Sequence, residues 1–344
     1  MFLDRLLLPV LTDEDDLQDA WDRLRGRKPL PLDETEGHPL AREGLMALED
    51  GAWRRIGALY AQQTADDRLH WIDVMANLWD LQRPMPRGAE SAAALTVQGG
   101  VLARLGYRHR GTGRGHEIPE ESFRRMEAAH RTGADILDRA RAIDGLDCAT
   151  LGMRALCANG LGDGDEIVAL DRHMGHARER SLLADGIFLW CFSAKWGGSQ
   201  EIMWQFVEDA AGDDPVWIAL RMRARIEDWR WHEDMSPEPG ARAAHVKLRT
   251  SADYREQMRA EQRAFLEGIA DRQVSRARAL WAHNQVGAAM ATLVDWASAR
   301  PHLEAIGANI GMPWFYVQDC EDPMQFLNRI RRRAKLPALF AAAP

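Results

Sequence analysis

The chain has 344 residues, 46 % hydrophobic and 28 % charged, with a formal net charge of −8. Such a composition suits a globular protein, and the acidic balance argues against a nucleic-acid or anionic-membrane surface, either of which wants a basic patch. No apolar run approaches the ~20 residues of a membrane helix, and Asp4 with the acidic run at 13–16 spoils the N-terminus as a signal peptide, so the expected location is cytoplasmic.

Taken in order, Leu17, Trp21 and Leu24 recur at i, i+4 and i+7 and predict an amphipathic helix over 12–25. Pro29, Pro31, Gly37 and Pro39 then mark a linker, so residues 1–38 read as an N-terminal helix and arm. Leu45, Met46 and Leu48, then Trp53, Ile56, Leu59 and Tyr60, predict two short helices parted by Asp50-Gly51. A helix over 66–81 follows, ended by Pro84 and Pro86, and a small-residue helix over 89–105. Residues 107–117, with Gly111, Gly113 and Gly115, read as a loop. Pro119 opens a long helix to about Ile143, whose stripe is Phe123, Met126, His130, Leu137 and Ala140. Paired helices over 151–158 and 166–177 flank a turn in which Asp163 stands three before Glu166, as in a capping box.

Residues 185–211 hold the chain's most apolar stretch and predict two helices folded back on each other. Gly197 and Gly198 supply the turn, Ser199 an N-cap, and Ile202, Met203, Phe206 and Val207 a buried face. Trp196, just before the glycines, is expected to wedge between the two helices. Asp214-Pro215 starts another helix, buried through Ile218, Met222, Ile226 and Trp229. The break Ser236-Pro-Glu-Pro-Gly240 is the candidate boundary between a repeat region over 39–235 and a C-terminal helical region over 241–344. The latter reads as helices near 253–269 and 274–298, a stop at Pro301, and a helix from Pro323 to about Arg333. Strand-type alternation is nowhere sustained. The fold class is all-α, an α-solenoid of degenerate tetratricopeptide-like hairpins recurring every ~30–40 residues.

Two segments carry a resemblance. Lys195-Trp-Gly-Gly-Ser-Gln-Glu-Ile-Met-Trp-Gln-Phe206 and the upstream Arg110-Gly-Thr-Gly113 resemble the K-W-G-G-S stretch and Arg-Gly-small-Gly loop of a bacterial family of tetratricopeptide-like proteins of unknown function. The likeness spans roughly residues 40–235. It implies a helical-repeat fold and no particular reaction.

For chemistry, Cys148, Cys157, Cys191 and Cys320 form no C-x-x-C pair and read as free, partly buried thiols. Asp67-x-x-His70 and Glu127-x-x-His130 each put a carboxylate and an imidazole on one helix face, a pattern that can hold a dinuclear divalent transition-metal site. The simpler reading makes His130 a core histidine. Asp171-x-His173-x-x-His176 also aligns two imidazoles, without a third partner. Arg108, Arg110, Arg114 and His116 surround the glycine loop and are the residues assigned to ligand contact. The preferred function is a scaffold binding a peptide or protein partner in a groove, with no cofactor. The alternative is an all-α, metal-dependent enzyme using Asp67, His70, Glu127 and His130.

Overall fold

A computed structural model describes residues 18–19, 21–22, 25, 30, 33–111, 113, 115–211, 214–236, 238, 240–317 and 323–340. Among them there are sixteen α-helices and no strand. The chain divides into two compact units. One comprises Glu34–Ala210 with Ser275–Arg278, the other Met1–Asp33, Ala211–Val274 and Ala279–Pro344. The break at 236–240 therefore falls inside a unit. Leu17, Leu24 and Cys320 lie outside the described residues. No described helix is long and apolar enough to cross a membrane.

The first of these units contains α1 (Ala41–Glu49), α2 (Trp53–Ala61), α3 (Ala65–Leu78), α4 (Ala92–Arg110), α5 (Glu120–Ile143), α6 (Cys148–Leu161), α7 (Gly164–Met174), α8 (Leu182–Phe192) and α9 (Gln200–Ala211). Helix α6 is its hub. Its sequence, CATLGMRALCANGL, carries a single charge and is apolar on every side, so it must be surrounded. Helices α3, α4, α5, α7 and α8 all pack against it. Glycines set the closest approach of α4 and α5. A Cβ at Gly99 would meet Leu137, and one at Gly133 would meet the Gly99 carbonyl and Cys157 Sγ. Ser91, Asp147, Asp163 and Ser181 cap α4, α6, α7 and α8 by accepting from the backbone N–H three residues on.

A buried carboxylate ties distant stretches of this unit together. Asp66, 1 % exposed, accepts from Ser181 Oγ at 2.7 Å and Leu183 N at 3.0 Å, and pairs with the Arg278 guanidinium. Cys148, Cys157 and Cys191 are free and buried, and burial pushes all three thiols up, Cys157 to about 12.

The other unit holds α10 (Ile218–Asp234), α11 (Ala241–Thr250), α12 (Ala252–Ala270), most of α13 (Arg276–Thr292), α14 (Trp296–Ile306), α15 (Met312–Val317) and α16 (Pro323–Arg333). Asp214 caps a short 3-10 turn at Pro215–Trp217 that runs into α10. Trp229, Phe265, Trp314 and Phe326 are its large core side chains. Two expectations are corrected. A helix, α11, forms over 241–250, and α14 continues through Pro301 instead of stopping there.

Candidate functional site

The predicted loop at 107–117 is shorter than expected, because α4 continues to Arg110. Two side chains hold the extra turn. Tyr107 donates to Asn159 Oδ1 at 2.8 Å, and Arg108 donates to the carbonyls of Ala76 and Trp79 (the latter at 2.7 Å). Arg108 thus satisfies carbonyls at the C-terminal end of α3, where a cation also opposes the helix dipole. Gly111, with φ of +79°, then ends α4.

The turn after α8 has a matching reason for its sequence. Gly197 has φ of +96°, and a Cβ at Gly198 would collide with the Phe192 carbonyl. Ser199 Oγ accepts from Ile202 N at 3.1 Å and opens α9, as expected. Phe206 lies 6.3 Å from Phe188 and 5.3 Å from Phe192, so the hairpin closes on phenylalanines. Met203 and Val207 are buried, whereas Ile202 is exposed.

Trp196 does not wedge between α8 and α9. It is half-buried and turns toward α4: its ring lies 4.3 Å from Trp190 and 5.7 Å from Tyr107. Asn159 Nδ2 donates to the Trp196 carbonyl at 3.2 Å, which fixes the backbone there. The Arg110 guanidinium sits 5.3 Å from the Trp196 ring and 5.8 Å from Phe123, while donating to the carbonyls of Gly111 and Gly113. The two familiar segments of the sequence therefore meet at Arg110 and Trp196. The indole N–H of Trp196 is buried and has no hydrogen-bond partner. Burial lowers His109, and the Arg125 and Arg108 guanidinium groups lower it further.

Compared with family models, with curated proteins and with solved structures, the chain matches none of them.

The remaining predicted site residues disperse. Arg114 and the His116 side chain lie outside the described residues. Asp67 accepts from Thr64 Oγ1 at 2.7 Å and from Ala277 N at 3.3 Å, which makes it a capping group. His70 lies beside His38, ring to ring at 5.5 Å, and 3.9 Å from Glu36. Glu127 is exposed and pairs with Arg131 on its own helix. His130 is fully buried against Gly106 of α4 and Gly160 of α6, with Nε2 3.0 Å from the Ala103 carbonyl. The quartet Asp67, His70, Glu127 and His130 does not converge, so the dinuclear arrangement is corrected. His173 bonds the Ala169 carbonyl on its own helix, at 2.7 Å.

A metal-ligand cluster that the sequence reading missed lies elsewhere: Asp228, His232 and His245. The signal was present, since Asp228 and His232 stand one turn apart and His245 follows the 236–240 break. Reading that break as a boundary hid the hairpin it makes.

Proposed function

We propose that this protein is a helical-repeat scaffold that binds a peptide or protein segment on the ledge formed by Arg110 and Trp196. The observation that carries this reading is the meeting of those two side chains, the cation at the end of α4 over the aromatic of the turn before α9, at a half-buried position. Arg and Trp are the side chains that most often anchor interfaces, because each joins large contact area to a directional polar group. The Arg110 guanidinium beside the indole favours a partner presenting a carboxylate next to an apolar side chain.

The repeat reading draws support from the packing order. Helices α2, α4, α6 and α8 contact one another in succession, with α5 and α7 packed outside α4 and α6. Helices α6 and α8 begin about 34 residues apart, the spacing of a tetratricopeptide-like unit. Contacts of α3 with α6 and α8 depart from a strict one-dimensional stack.

The test is a random peptide library selected against the full chain, with the selected peptides then measured on Arg110→Ala and Trp196→Phe. Selected peptides should share an acidic residue next to an aliphatic or aromatic one. Arg110→Ala should weaken them at least about tenfold, a hot-spot effect. Peptides that bind both variants as tightly as the parent protein would place the partner surface elsewhere.

A further inference from the structure

Helices α10 and α11 form a hairpin whose facing sides bring together one carboxylate and two imidazoles. His232 Nε2 lies 3.5 Å from Asp228, and His245 Nδ1 approaches the same carboxylate at 3.8 Å. The imidazole rings stack at 4.6 Å with an interplanar angle of 22°. One ligand atom from each residue falls within 4.8 Å of the other two. A zinc ion bound at ~2.0–2.1 Å holds tetrahedral ligand atoms ~3.3 Å apart, so side-chain rotations that unstack the two rings would close the set.

The cluster is enclosed. His245 is 6 % exposed, and its Nε2 is buried with no hydrogen-bond partner; Nδ1 of His232 is in the same condition. Both are the ring nitrogens opposite those that face Asp228, so they are buried polar atoms beside the site and not its ligand atoms. We propose that Asp228, His232 and His245 bind a divalent transition metal of the zinc class, leaving a fourth position for water or a ligand's donor atom.

The donor set selects the metal. Two imidazole nitrogens and one carboxylate oxygen match zinc and its neighbours, whereas magnesium and calcium want oxygen alone. Arg249 is an opposing charge. Its guanidinium donates to the Thr292 carbonyl and lies 5.3 Å over Trp229. Glu233 pairs with Arg242 at 2.9 Å.

The experiment adds cobalt(II) to metal-stripped full-length protein and follows the visible ligand-field bands, then displaces the cobalt with zinc. One equivalent per chain is expected, with zinc raising the melting temperature. His232→Gln changes the more exposed ligand and should leave the helical circular dichroism intact while weakening cobalt at least about 100-fold, beyond the loss seen when only a supporting group is removed. Asp228→Asn should act in the same direction. The double variant His173→Gln/His176→Gln removes the exposed histidines of α7 and should bind as the parent does. No stoichiometric cobalt or zinc on the folded parent would overturn the site, as would unchanged affinity in folded His232→Gln. Loss of binding in the α7 double variant alone would assign the metal to adventitious surface histidines.

Discussion

At the scale of single residues, His130 shows how a helix stripe becomes a shape. Its ring fills a slot that exists because positions 106 and 160 carry no Cβ, and Tyr107 covers it at 4.8 Å. A methyl group at either glycine would overlap the imidazole. Gly160→Ala should therefore cost about 1–3 kcal/mol, the range for overpacking, despite alanine's better helix propensity. Urea denaturation measures it; an unchanged or higher midpoint would mean the ring has room to move. His130 was legible in the sequence because it falls in register with Leu137 and Ala140. Asp67 was not, since the N–H it accepts from belongs to Ala277, 210 residues away. A carboxylate one turn before a histidine looks the same whether it holds a metal or caps a distant helix.

At the scale of elements, legibility followed the number of buried side chains. Helix α5 shows a buried stripe, α3 and α8 are buried on most sides, and the sequence placed all three within a few positions. Helix α11 buries His245 alone, with Leu248 52 % exposed, so it offered no stripe to read. Pro301 misled for a different reason. An interior proline costs a helix ~3 kcal/mol, but α14 also buries Ala299, Leu303 and Ile306, and burying two large aliphatic side chains returns about as much. Helix α4 outran its predicted end because Arg108 reaches two carbonyls of another element. Arg108→Lys keeps the charge but replaces the planar fork with a compact ammonium. We expect a loss of about 1 kcal/mol, the worth of one hydrogen bond, together with faster amide exchange over residues 75–79. Equal exchange in the two proteins would show that α3 ends without help from Arg108.

At the scale of the whole molecule, both units carry buried neutral histidines. Burial holds His130 and His283 down to about 4 and His302 to about 3, against about 6.5 in an unfolded chain. Below pH 6.5 the unfolded chain takes up protons that the folded one refuses. Stability is therefore whole above that pH and falls as pH drops toward 4. His130 alone accounts for about 3 kcal/mol across that window. Urea midpoints from pH 7 to pH 4 should fall continuously, and less steeply in His130→Gln; identical slopes would return His130 to an ordinary titration. A different consequence follows from the pairing of Asp66 with Arg278. The ribosome makes a chain at ~5–20 residues per second, so about 10–40 s separate the synthesis of these partners, which stand 212 positions apart. Helices α4 to α9 are all made within that interval, yet the carboxylate at the mouth of α8 must wait for its counter-charge. Until Arg278 leaves the exit tunnel, the nascent chain holds a carboxylate that Ser181 and Leu183 can hydrogen-bond but not neutralise. That makes the last-made four residues of this unit, Ser275–Arg278, the latch that commits it.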